Sequence, residues 1–309
     1  MPDGNGGDPI TRRVALLVAV VALFAACAES PSNQERRGDL GAAASASTAP
    51  LSEDGGGAAG PFNFAVIGDF GTGEQAQIRV AERMCEWRES RPFDLVVTTG
   101  DNVYPKGEAS RFDETFFEPY ACLLDGGVRF RATLGNHDVI TDNGAPELNE
   151  PAFGMKARNY VVRKGGVRFL MVDSNTLRKR WLRRRLPAEE GDRWTVVAFH
   201  FPVFSSGPHG STPGFRPSLH RMFRRHGVDL VLTGHDHHYE VTKKLKGIRY
   251  VVTGGGGAEL YPCGKSWFTA RCHKRHHFLY VRAGDERIRV TAVPPNGDPF
   301  HIFRTRGRS

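Results

Sequence analysis

Five short segments of this sequence concentrate side chains that bind metal ions. They are Gly68-Asp69-Phe70-Gly71, Gly100-Asp101-Asn102-Val103-Tyr104, Gly135-Asn136-His137-Asp138, Val197-Ala198-Phe199-His200 and Gly234-His235-Asp236-His237. Carboxylates, imidazoles and an amide oxygen together suit first-row transition ions. The candidate ligands are Asp69, Asp101, Tyr104, Asn136, His200, His235 and His237. They are more than one such ion needs, so the natural arrangement is two ions roughly 3.5–4 Å apart with a shared carboxylate. Tyr104 narrows the choice of metal. A phenol has an ordinary pKa of about 10, and only a strong Lewis acid such as Fe(III) keeps it deprotonated near neutrality. Taken singly, each residue has a plainer reading: a helix cap for the aspartates, a turn for Asn136, a surface position for each histidine.

His137 sits between Asn136 and Asp138. Asp138 is expected to orient its ring and favour the protonated form, making His137 a general acid for a leaving alkoxide.

Six apolar runs must carry these loops: 62–68, 94–100, 129–135, 167–173, 194–200 and 228–234. Each is rich in Val, Ile, Leu, Phe or Thr, which predicts buried strands. Residues 74–90 have helical composition and are closed by Pro92, so strand, helix and strand suggest a βαβ unit. Residues 216–226 read as another helix, while 249–253, 278–282 and 287–293 alternate like antiparallel strands. The class is α/β. Asp69, Asp101, Asn136, His200, His235 and His237 all follow the C-terminal ends of apolar runs, the edge where open α/β sheets bind ligands.

Taken as a set and in order, the five segments resemble the GDxG, GDxxY, GNH(D/E), VxxH and GHxH motifs of purple acid phosphatases, within the calcineurin-like metallophosphoesterases. The resemblance implies a four-layer αββα sandwich with two mixed β-sheets. It implies Fe(III) on Asp69, Tyr104 and His237, a divalent ion (Fe, Zn or Mn) on Asn136, His200 and His235, and Asp101 bridging the two. His209, nine residues after His200, matches a histidine that contacts substrate in the small, tartrate-resistant members. The expected activity is hydrolysis of phosphomonoesters by attack of a metal-bound hydroxide, with His137 and His209 protonating the leaving group. A phosphodiesterase on the same metals, acting on nucleotides or phospholipid headgroups, is the first alternative. A non-enzymatic phosphate- or metal-binding lipoprotein is the second, and retention of both histidines argues against it.

The remainder of the sequence bears on location. Arg12 and Arg13 precede an uncharged run, 14–26, that is too short to span a bilayer comfortably. Phe24-Ala25-Ala26-Cys27 resembles a lipobox, by which Cys27 would be acylated and tether the protein to a membrane. The Arg pair resembles a twin-arginine export signal, and a plain secretory signal or an uncleaved anchor are the other readings. All place the body outside the cytoplasm, in a bacterial cell envelope or secreted. Residues 28–60, with AAASASTAP and GGGAAGP, read as a flexible tether, which leaves 61–309 as one catalytic domain. Of the four later cysteines, Cys263 and Cys272 are near neighbours and the expected pair. Cys85–Cys122 follows by elimination, with buried free thiols as the alternative.

The composition, 39% hydrophobic and 25% charged, excludes a wholly disordered chain. The net charge of +8 favours anionic ligands, yet no nucleic-acid signature is present. TGGGGA at 253–258 lacks the Lys-Ser/Thr of a P-loop and is expected to border the site. RKRWLRRR at 178–185 reads as a solvated helix face. Cys272, His273, His276 and His277 match no standard zinc spacing and read as a basic surface segment.

Overall fold

The computed structural model describes residues 61–306; the export signal, Cys27 and the 28–60 tether lie outside the described residues. The first apolar run forms β1 (Phe62–Ile67), which places Phe64 and Val66 on one face and Ala65 and Ile67 on the other, all fully buried. A strand buried on both faces lies between two layers. Helix α1 (Gln75–Ser90) supplies one of them, because Gln77, Val80, Ala81, Met84 and Trp87 recur at helical spacing along its buried stripe. Strand β2 (Leu95–Thr98) then pairs parallel with β1 and completes the βαβ unit. After a short helix, α2 (Ala121–Asp125), β3 (Arg129–Arg131) adds parallel to β2.

The chain continues through α3 (Ala145–Asn149), β4 (Tyr160–Lys164), β5 (Val167–Met171), α4 (Lys179–Arg185), β6 (Trp194–Ala198), α5 (Arg221–Arg225), β7 (Leu230–Thr233), β8 (Tyr239–Thr242), β9 (Arg249–Thr253) and β10 (Thr269–His273). It closes with β11 (Phe278–Ala283), β12 (Arg287–Val293) and β13 (His301–Arg306). Two mixed sheets result. One has the order β13-β12-β11-β1-β2-β3, the other β10-β8-β9-β7-β6-β5-β4. Strands β5, β6, β7 and β9 run parallel to their neighbours in that order.

The main core lies between the sheets. Phe64, Val66 and Val97 from one meet Phe169, Met171, Val196 and Leu232 from the other. Phe64 and Phe169 cross edge to face at 4.9 Å, and cutting either to Ala would cost about 3–5 kcal/mol. The outer face of the first sheet is covered by α1 and the aromatic cluster Phe112, Phe116, Tyr120 and Phe153. The outer face of the second packs Leu170, Val197 and Val231 against Leu182 of α4 and Phe223 of α5. The architecture is the metallophosphoesterase αββα sandwich.

All six apolar runs contain strands, although each strand stops one to four residues short of the end of its run. Strands β4, β8, β10 and β13 have no counterpart in the sequence reading. β4, β10 and β13 are the outermost strands of their sheets and half exposed, so no continuous apolar run marks them. Within the basic run, Lys179–Arg185 is helical; its lysine and arginines are exposed, while Leu182 is buried and Trp181 half-buried against the core. The reading of 272–277 as a surface segment needs correction. Cys272 and His273 close strand β10, and His277 is fully buried, its ring 3.0 Å from Thr253 Oγ1 and 2.9 Å from the Arg275 carbonyl. Cys85–Cys122 and Cys263–Cys272 are both disulfides.

Candidate metal centre

The C-terminal ends of parallel strands from both sheets meet around one cluster of side chains. Asp69 follows β1, Asp101 follows β2, Asn136 lies beyond β3, His200 follows β6, and His235 and His237 follow β7. The backbone turns sharply there. Asp69, Asp101 and His235 have φ of 56°, 53° and 71°, a left-handed conformation that costs a non-glycine residue about 1–3 kcal/mol and is tolerated mainly at functional sites. Local hydrogen bonds hold it: Asp69 N donates to the Gly100 carbonyl at 3.0 Å, His235 N to Asp69 Oδ1 at 2.9 Å, and His137 N to Asp101 Oδ1 at 2.9 Å. Glycine is required beside them, because a Cβ on Gly135 would collide with Asp101 Oδ1 and one on Gly234 with Asp69 Oδ2.

All seven candidate ligands converge. His200 Nδ1 donates to the Thr99 carbonyl at 2.9 Å, which leaves Nε2 as a lone pair. That lone pair faces Asn136 Oδ1 at 2.9 Å, His235 Nδ1 at 3.2 Å and Asp101 Oδ2 at 3.4 Å. One hydrogen on His235 satisfies at most one of these contacts, and the two oxygens have none to give. On the other side, His237 Nδ1 donates to the Glu259 carbonyl at 2.8 Å, so its Nε2 lone pair faces Tyr104 Oη at 3.1 Å and Asp69 Oδ1 at 3.4 Å. Tyr104 Oη lies 3.0 Å from Asp101 Oδ2 and has a single hydrogen to share between Asp101 and His237. Acceptors facing acceptors in a buried site call for cations. Ligand atoms of Asp69, Asp101 and His200 lie within 4.8 Å of one another. The contacts fall into two groups, Asp69–Tyr104–His237 and Asn136–His200–His235, with Asp101 touching both. This donor set fits a pair of cations.

The charges agree with that reading. Burial opposes ionisation of Asp69, but His237 beside it and the neighbouring imidazoles of His200 and His235 hold its carboxyl below the ordinary value. Burial and His200 push His235 down to about 3, which keeps it a neutral ligand. For His200, burial is outweighed by Asp101 and Asp69, which raise its pKa; for His237, burial is outweighed by Asp69. Burial, with Asp101 and Asp69 beside it, drives the Tyr104 phenol well above its usual range, so only a bound cation would ionise it.

Two histidines flank the cluster. The His137 ring packs 4.5 Å from the Tyr104 ring, and the exposed His209 ring 4.3 Å from that of His235. The role expected of Asp138 is not the one its position supports. His137 Nδ1 donates to the Pro105 carbonyl at 2.7 Å, not to Asp138. Asp138 is fully buried beneath the site and accepts from Asn102 N, Val103 N, Gly135 N and Asn102 Nδ2 at 2.7–3.1 Å. Its four donors hold the Asp101 and Asn136 loops together, and no carboxylate oxygen is left for the imidazole.

Four supporting residues escaped the sequence reading. Asn102 Nδ2 also donates to Glu147 Oε2 at 2.8 Å, which makes a buried Asn102–Asp138–Glu147 cluster. Asp236 accepts from Ser205 Oγ and from His209 N, and so fixes the His209 loop. Tyr261 stacks on His237 at 4.2 Å. Asn102 and Asp236 lie inside the motif segments and were within reach of the sequence; Glu147, in helix α3, and Tyr261, in a loop, belong to no motif. The Gly-rich turn does border the site, since Ala258 N donates to the Asp69 carbonyl at 3.0 Å.

A family model for calcineurin-like phosphoesterases matches residues 62–239. Purple acid phosphatase 3 of Arabidopsis thaliana is 25% identical over 285 residues, covering 79% of this chain and 78% of the relative. Tartrate-resistant acid phosphatase type 5 of Homo sapiens is 26% identical over 301 residues, covering 81% and 92%. Among solved structures, a purple acid phosphatase from yellow lupin seeds superposes with a TM-score of 0.69 at 18% identity, covering 81% of this chain and 54% of that one. GAP50, described as the anchor in the inner membrane complex of Plasmodium, gives 0.71 at 18% identity, covering 81% and 90%. At that identity the likeness shows the fold alone. The family match spans more than half of the chain and runs through every strand end that feeds the donor cluster, and on that ground the protein belongs to the calcineurin-like phosphoesterases, metal-dependent hydrolases of phosphoric esters.

Proposed function

We propose that this protein hydrolyses phosphomonoesters in the manner of purple acid phosphatases, with Asp69, Tyr104 and His237 holding Fe(III), Asn136, His200 and His235 holding a divalent Fe, Zn or Mn ion, and Asp101 shared between them. The observation that carries this reading is the grouping of acceptors around Asp101 together with a histidine on each side of the cluster. When bound, the two cations supply Lewis acidity that polarises a phosphoryl group and acidifies water.

The protein's own residues do the remaining work. Thr99 and Glu259 carbonyls fix the tautomers of His200 and His237, so that Nε2 points inward on each. Pro105 does the same for His137, leaving Nε2 to carry the proton delivered to the leaving oxygen. The His209 loop, anchored on Asp236, places a second imidazole over the His235 side of the cluster, where it contacts substrate oxygens. His137 stands on the Tyr104 side, so an ester held between the two is flanked at both ends.

Two disulfides support residence in an oxidising compartment, consistent with export and with a lipid on Cys27. The test of function compares p-nitrophenyl phosphate with bis(p-nitrophenyl) phosphate on metal-loaded enzyme. Preference for the monoester supports the proposal, and preference for the diester moves the protein to the phosphodiesterases. A visible tyrosinate–Fe(III) absorption that vanishes in Tyr104→Phe tests the iron. A colourless, fully active zinc or manganese enzyme would overturn that assignment and spare the hydrolase.

A further inference from the structure

A second group of metal-capable side chains stands outside the centre described above. His238, Cys263 and Cys272 place a ring nitrogen and two sulfurs within 4.8 Å of one another. His238 is fully buried, and neither of its ring nitrogens has a hydrogen-bond partner. A buried imidazole without a partner is costly, and its presence asks for a reason. The nearest carboxylate oxygen, Glu240 Oε2, lies 3.6 Å from His238 Nε2. Glu240 pairs directly with Cys272 across strands β8 and β10, which puts both side chains on one face of the sheet. Its carboxylate is held in place by Thr269 Oγ1 at 2.6 Å and Ser206 N at 2.7 Å. Cys263 is exposed, so a reductant reaches the disulfide from solvent.

Two thiolates, an imidazole and a carboxylate are a donor set for a thiophilic divalent cation of the zinc class. We propose that Cys263, Cys272 and His238, with Glu240 as fourth ligand, form a redox-gated cation site: a disulfide when oxidised, a zinc-type centre when reduced. The chemistry balances. A dithiol reductant gives up two electrons and two protons to the S–S bond, yielding two thiols and its own disulfide. The cation then displaces both thiol protons and binds the two sulfurs. The site also has a structural consequence. Cys263 lies in the loop between β9 and β10 that carries Glu259 and Tyr261, the two residues that position His237. Disulfide and cation would staple that loop to β10 in either redox state.

Cobalt(II) is the probe, because only thiolate ligation gives it a strong near-ultraviolet charge-transfer band, and the phosphoesterase centre contains no sulfur. The full-length holoenzyme is reduced anaerobically with a phosphine, which takes up the oxygen of one water as it reduces each disulfide, and is then titrated with Co(II). The expected result is a thiolate band that saturates at one added equivalent, absent from the unreduced enzyme, lost in Cys263→Ser and at least roughly tenfold weaker in affinity in His238→Ala. Two observations would overturn the proposal. One is a reduced enzyme whose Cys263 and Cys272 are free by alkylation mapping but which shows no band. The other is a band that survives Cys263→Ser, which would place it at Cys85 and Cys122.

Discussion

His200 Nε2 and Asn136 Oδ1 stand 2.9 Å apart, acceptor against acceptor, because the ring hydrogen of His200 is committed to the Thr99 carbonyl. Such a contact calls for a positive centre between the atoms, a metal cation when one is bound or a proton when it is not, and the Asp101 and Asp69 charges favour either. Stripping the metals is therefore expected to lower thermal stability. Cation at 100 to 1,000 times its dissociation constant contributes about 2.7–4.1 kcal/mol. Melting curves with and without chelator check this. A melting temperature that stays put after complete metal loss would contradict it.

The proton-donor role of His137 has a kinetic signature. A general acid matters most when the leaving group is a poor one. His137→Ala is expected to slow hydrolysis of an alkyl phosphate by about 100-fold or more, and of p-nitrophenyl phosphate far less. Equal losses on both substrates would reduce His137 to a packing residue against Tyr104.

The Asn102–Asp138–Glu147 cluster makes stability depend on pH. Burial, with the Asp101 charge adding to it, pushes Asp138 up to about 6; burial and Asp138 push Glu147 well above its ordinary value. Both folded-state values lie above those of the unfolded chain. The stability they contribute is therefore fully present below the unfolded-chain values, about 4, and is lost as pH rises from there through the folded-state values, by about 6 for Asp138 and at higher pH for Glu147. Glu147→Gln removes one ionisation from the cluster. The variant is expected to flatten the fall in melting temperature above about pH 6, at roughly 2–4 °C per kcal/mol recovered. Parallel curves for wild type and variant would show that Glu147 does not ionise in this range.

The sequence carried the site further than the fold. Asp69, Asp101, Asn136, His200, His235 and His237 were legible because each lies at or just beyond the end of an apolar run, and the strand ends meet by topology. Strands β4, β10 and β13 were not, since an outermost strand with one face in solvent has no continuous apolar run. Asp138 shows the limit of adjacency: it neighbours His137 in sequence but turns into the protein, where four N–H groups outcompete one imidazole. The supports of His237 were invisible for another reason. The Glu259 carbonyl belongs to the backbone, and no side-chain pattern encodes where a carbonyl will point.

Anomalous diffraction from crystals of the metal-loaded enzyme tests most directly whether Asp101 serves two ions. Two peaks roughly 3.5–4 Å apart are expected, one on the Tyr104 side and one on the His200 side of the Asp101 carboxylate, with Asp101→Ala losing at least one of them. A single fully occupied ion in the wild type, or a pair that leaves Asp101 uncoordinated, would contradict the shared-carboxylate centre.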